Sequence, residues 1–84
     1  MAYKAALTKN FLREFKKLPD HIKDGILRAI DEIVANPFTG VKLRGELEGR
    51  WRRRIGKYRI IYIIDQTPKL VVFLDVGLRK SIYK

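Results

Sequence analysis

The chain has 84 residues, 46% of them hydrophobic, no cysteine, one histidine and a formal charge of +10. That length suits one domain, 1–84, with a single core, and the absence of cysteine excludes disulfides and thiolate metal sites. One histidine and no Gly-rich phosphate loop leave no His/Cys metal set, no Ser–His–Asp or Cys–His nucleophile and no P-loop.

No cofactor or metal is therefore expected. The N-terminal residues lack the apolar run of a signal peptide, and no segment approaches the roughly 18 apolar residues of a membrane span. A soluble, cytoplasmic protein without membrane contact is the expectation.

Tyr3 to Leu7 reads as a short strand, ended by Thr8, whose hydroxyl can cap the helix that follows. That helix, Lys9 to about Leu18, carries Phe11, Leu12, Phe15 and Leu18 at helical spacing, with Arg13, Glu14, Lys16 and Lys17 on the remaining surface. Leu18-Pro19-Asp20 breaks it. Asp20 is expected to cap a second helix with the stripe Ile22, Ile26, Leu27, Ile30, Ile33 and Val34, which stops at Asn36-Pro37. The short connection predicts an antiparallel helix hairpin, with His21 as a solvated residue at the start of the second helix.

Phe38 to Gly49 is a loop rich in glycine and charge, with room for a short strand at Val41-Lys42-Leu43. Next, Arg50-Trp51-Arg52-Arg53-Arg54-Ile55 and Tyr58-Arg59-Ile60-Ile61-Tyr62 flank Gly56-Lys57, the pattern of a two-residue hairpin. That register sets Ile55 opposite Tyr58, Arg54 opposite Arg59 and Arg52 opposite Ile61. Arg52, Arg54 and Arg59 then share a face, while Trp51, Ile55, Tyr58, Ile60 and Tyr62 line the other and belong to the core. Gln66-Thr67-Pro68 makes another turn, and Lys69 to Val76 a last strand whose run Leu70 to Leu74 suits a central position covered on both faces. The class is α+β: an N-terminal strand, a helix pair, and a three-stranded antiparallel meander forming one small sheet with the helices on one face.

The charge is unevenly placed. Residues 1–40 hold 7 basic and 5 acidic residues, a net of +2, whereas residues 41–84 hold 12 and 4, a net of +8. Like charges directly across a ladder are destabilising, so three cations gathered on one patch of sheet point to a polyanion as partner. Arginine fits phosphate in particular, because its planar fork matches two oxygens. Glu46 and Glu48 read as solvated loop carboxylates. The tail from Gly77 to Lys84 adds Arg79, Lys80 and Tyr83, a second cationic cluster with an aromatic ring beside it.

Strand–helix–helix–meander order, Lys42-Leu43-Arg44-Gly45, Trp51-Arg52-Arg53-Arg54, Tyr58-Arg59-Ile60-Ile61-Tyr62 and Val76-Gly77-Leu78-Arg79-Lys80-Ser81-Ile82-Tyr83 together resemble the RelE toxins of the RelE/ParE superfamily. The resemblance covers nearly the whole chain. It implies a RelE-like, microbial-ribonuclease-type fold and the toxin of a type II toxin–antitoxin pair, a ribosome-dependent endoribonuclease that cleaves messenger RNA in the A site. Its implied partners are an acidic, RelB-like antitoxin, in a complex of higher order, and the ribosome with its mRNA and rRNA.

Carried over by position, Arg52 and Arg54 match basic active-site residues on the sheet, Arg59 and Arg79 phosphate-contacting arginines, and Tyr83 the C-terminal tyrosine. Arg44, Arg50 and Lys80 are the implied RNA-binding cations. Some relatives have lysines where Arg52 and Arg54 stand, and arginine, unlike lysine, does not give up its proton. The arginines are thus expected to stabilise charge, with proton removal shared between Tyr83 and water. Two alternatives stay open: a ParE-type inhibitor of DNA gyrase, against which the Arg79-to-Tyr83 ending argues, and an inactive basic RNA-binding module.

Overall fold

A computed structural model describes residues 3–78; Arg79, Lys80 and Tyr83 lie outside the described residues. In chain order the elements are β1 (Lys4–Leu7), α1 (Lys9–Lys16), α2 (Asp20–Ala35), a 3-10 turn at Pro37–Thr39, β2 (Val41–Lys42), a second 3-10 turn at Gly45–Leu47, β3 (Trp51–Ile55), β4 (Tyr58–Gln66) and β5 (Lys69–Leu78). The strands form one sheet in the order β1-β5-β4-β3-β2. The expected meander is β3-β4-β5. The sheet gains a strand at each edge, β2 antiparallel to β3 and β1 parallel to β5.

Thr8 caps α1 as its sequence position requires, accepting from the Phe11 amide at 3.1 Å. Its hydroxyl also donates to the Phe73 carbonyl at 2.9 Å, and Asn10 Nδ2 donates to the Leu74 carbonyl at 2.9 Å. These bonds fix the start of α1 to β5. The helix ends at Lys16, before the expected Leu18, because Lys17 already occupies the C-cap.

Asp20 does not cap α2. Pro19, at φ −60° and ψ 151°, holds the N-cap position, so Asp20 becomes the first helical residue and no side chain caps the end. There Asp20 still opposes the positive end of the helix dipole. Asn36 ends α2 as expected and accepts from the Phe38 amide at 3.4 Å, starting the 3-10 turn.

Both helices pack on the same face of the sheet. Phe11, Ile26, Ala29, Ile30 and Ile33 meet Ile60, Tyr62, Val71, Phe73 and Val76 in one cluster, with Trp51 and Ile55 packed against it. Tyr62 is fully buried: it stacks on Trp51, tilts against Phe73, and its hydroxyl donates to the Pro37 carbonyl at 2.7 Å. Desolvation pushes its phenol above the ordinary value near 10.

The last strand is internal, but β4 is the middle one. Leu70, Val72 and Leu74 are only half-buried, so its apolar run does not mean cover on both faces. The run hides a bulge: Ile61 pairs with Asp75 and Tyr62 with Phe73, which leaves Leu74 as the extra residue. The displaced Leu74 carbonyl is the one that Asn10 holds.

Gly40 is set by space rather than by backbone angle, since its φ of −77° is open to any residue. A Cβ there would collide with the Tyr62 hydroxyl and stand 2.7 Å from the Arg52 carbonyl. Gly40→Ala should therefore lower stability by about 1–3 kcal/mol, the usual range for overpacking, as read by urea unfolding. A variant as stable as the parent would show that β3 shifts freely at Arg52.

Candidate functional site

The β3–β4 hairpin is the frame of the site. Gly56 has φ +58° and Lys57 has no positive φ, the φ pattern of a type II′ turn, which needs glycine at its first central position. This turn fixes the register: Ile55 pairs with Tyr58, Arg54 with Arg59, Arg53 with Ile60 and Arg52 with Ile61. Because cross-strand partners share a face, Arg52, Arg54, Arg59 and Ile61 lie on the face turned away from both helices, as the sequence implies. The rows continue into β5, where Arg59 pairs with Gly77 and Ile61 with Asp75.

The three arginines differ in exposure. Arg54 is exposed, Arg52 half-buried, and Arg59 buried at 4% exposure, its Nη1 reaching the Tyr58 carbonyl at 3.4 Å. Among the described residues, no carboxylate lies within ion-pair distance of Arg52 or Arg54. The Nε of Arg52 is buried and has no hydrogen-bond partner there. A buried donor in that condition costs about 1–3 kcal/mol, and an arriving anionic oxygen would satisfy it. Asp75, in the row of Arg52, turns its carboxylate back onto the Val76 amide at 2.9 Å.

Arg53 is spent differently. Alternation sends it to the helix side, where its Nη2 pairs with Glu32 Oε1 on α2. The run Arg52-Arg53-Arg54 is thus two cations on one face divided by a strut to the opposite layer. Arg50 is half-buried just ahead of β3, and its carbonyl accepts from the Leu43 amide at 2.9 Å. Arg44 is exposed and shares a depression of about 400 Å³ with Lys42, Leu43 and Glu48. The geometry unites Arg52, Arg54 and Arg59, while Arg44 stands in its own loop. Arg79, Lys80 and Tyr83 fall outside the described residues.

Motif reading missed a cleft of about 440 Å³ between the end of α1 and the ends of β4 and β5. Asn10, Glu14, Lys17, Tyr58, Asp75 and Gly77 are among its lining residues, so it adjoins the Arg54–Arg59–Gly77 row. Gly77 is the one sequence signal for it, since glycine inside a strand marks a place that other groups approach closely. Lys17 Nζ donates to Glu14 at 3.1 Å and holds that carboxyl below its usual range, which keeps it anionic at neutral pH.

The result is a five-stranded sheet backed by two helices on one face and lined with arginines on the other. The family model for the ParE toxin of the type II toxin–antitoxin system parDE matches residues 5–83, and the chain belongs to this RelE/ParE toxin family. It is similar to Toxin RelG of Mycobacterium tuberculosis, 35% identical over 86 residues that span 100% of this chain and 99% of the relative. Among solved structures it resembles the toxin–antitoxin complex RelBE2 of M. tuberculosis, with a TM-score of 0.88, 33% identity and 94% and 93% of the two chains covered. The RelB–RelE antitoxin–toxin complex of Methanococcus jannaschii is similar at a TM-score of 0.71, 28% identity and 93% and 94% coverage.

Proposed function

We propose that this RelE/ParE-family toxin is a ribosome-dependent endoribonuclease acting on messenger RNA in the A site. The observation that carries this reading is the Arg54–Arg59 pair with Arg52 beside it, cations set together on the sheet face away from the helices. In the reaction the ribose 2′-oxygen bonds to the adjacent phosphorus, the bond to the 5′-oxygen breaks, and a 2′,3′-cyclic phosphate and a 5′-hydroxyl result. The 2′-hydroxyl proton leaves to Tyr83 or water, and the departing 5′-oxygen gains one from water. Arg52, Arg54, Arg59 and Arg79 stabilise the charge on the phosphorane, where fixed donors give their largest effect. Tyr83 orients a neighbouring base for in-line attack, and Arg44, Arg50 and Lys80 contact the strand.

The relatives solved as RelB–RelE complexes support a RelB-like antitoxin as partner, and the net charge of +8 over residues 41–84 favours an acidic one, which we expect to be encoded beside this chain. Its association should slow as salt rises. Among the described residues no helix is long and apolar enough to cross a membrane, in keeping with action in the cytoplasm.

Primer extension on translated messages tests the reaction. Breaks within A-site codons are expected, and Arg79→Ala or Tyr83→Ala should relieve growth arrest. The ParE description of the family model favours a second reading, inhibition of DNA gyrase; DNA damage without RNA breaks would establish it and overturn the nuclease.

A further inference from the structure

Acidic side chains are unevenly spread over this basic molecule. Four of its nine, Asp20, Asp24, Asp31 and Glu32, lie on α2 and are exposed. The outer surface of α1 is the reverse: Lys9, Arg13 and Lys16 are exposed at helical spacing, with Leu12 between them. The one acid of α1, Glu14, is half-buried and bonded to Lys17, with Arg13 Nε at 3.6 Å. Arg13 is further oriented by Nη2 donating to Asn10 Oδ1 at 2.6 Å, and Asn10 is itself bonded to the Leu74 carbonyl. The stripe is thus attached through α1 to β5, the strand that carries Gly77 at the end of the arginine row.

We infer that the Lys9–Arg13–Lys16 stripe of α1 is a second RNA contact, gripping the phosphate backbone of folded RNA while the arginine face holds the strand to be cut, and that the acidic side of α2 points away from that RNA. This rests on the nuclease reading for the identity of the RNA, which is ribosomal. The three cations span about 10 Å of helix at 1.5 Å per residue, enough to meet more than one phosphate of a strand. A domain of 84 residues that must be held on a large RNA assembly while its sheet face engages the message needs a foothold outside that face. The acid-poor side of α1 supplies it.

Pelleting with purified ribosomes over a range of salt tests this by binding alone. Three lost phosphate contacts lower the log–log salt slope by about 2.1–2.7. Raising salt from 50 to 200 mM should then weaken the Lys9→Gln/Arg13→Gln/Lys16→Gln variant by roughly twentyfold to fortyfold less than the parent. Lys9→Gln/Lys16→Gln, which leaves the Arg13–Asn10 bond in place, should show about two thirds of that change and serves if the triple variant misfolds. Asp24→Asn/Asp31→Asn should leave the slope as it was.

An unchanged slope in both α1 variants overturns the proposal, as does an equal change in the α2 control. Normal ribosome binding with lost affinity for the acidic protein encoded alongside also overturns it, since the stripe would then dock protein. Failure of the nuclease reading shows separately, as no RNA cleavage by the parent.

Discussion

Arg54→Ala should yield a protein that is slightly more stable and far less active. Arg54 is exposed and faces Arg59 directly across the β3–β4 ladder, with no carboxylate in ion-pair range among the described residues. Removing one of two like charges in that position relieves about 0.2–1 kcal/mol, which for a domain of this size raises the melting temperature by up to several degrees. If its guanidinium stabilises the phosphorane, losing it lowers the cleavage rate by about 10²–10³-fold, or roughly 3–4 kcal/mol. Melting curves and primer-extension time courses on translating ribosomes read the two effects. Unchanged cleavage would remove Arg54 from the site, and a large fall in melting temperature would show that the arginine row serves the fold instead.

Tyr62 is where stability is most exposed to a single change. It is fully buried between Trp51 and Phe73 and tied to the Pro37 carbonyl. Tyr62→Ala should cost about 3–5 kcal/mol through lost burial and the cavity left behind, a large share of the roughly 5–15 kcal/mol that hold a domain together. Tyr62→Phe keeps the ring but leaves the Pro37 carbonyl unpaired, at about 1–3 kcal/mol.

The two variants also separate at alkaline pH. Burial raises the folded phenol above its unfolded value near 10, so the folded state keeps a proton that the unfolded state has begun to lose. The parent's stability is therefore complete below that value and falls as pH rises through the folded one. Tyr62→Phe should lack this part of the alkaline decline in urea titrations. An identical decline in parent and variant would show that Tyr62 titrates freely.

The readable parts of the fold are those where one local rule decides. Gly56-Lys57 leaves the chain little choice of turn, and the turn fixes every pair from Arg52–Ile61 to Ile55–Tyr58. The inward sides of Tyr62 and Trp51 follow by alternation. Less legible features depend on partners distant in sequence. Asp20 loses the cap because Pro19 already has the extended geometry the position needs. The continuous apolar run of β5 conceals a bulge at Leu74, held by Thr8 and Asn10 from more than sixty residues away.

The site divides in the same manner. Placing Arg52, Arg54 and Arg59 on one face needs only the hairpin, whereas the diversion of Arg53 to Glu32 needs α2 beneath it. The burial of Arg59 is likewise invisible to alternation, which assigns a face but not a depth. The cleft beside Gly77 is formed by α1 and the strand ends together, and no motif marks it.

The parallel pairing of β1 with β5 joins Lys4 to Leu70 and Leu7 to Phe73. During synthesis, the first strand emerges long before the neighbour that completes it. Closing so long a loop is slow compared with forming either helix. The arginine face is therefore assembled late, since its final row requires Gly77. On the proposed function a chain still being made is a harmless one, and its cell has the whole interval of elongation in which to present a neutralising partner.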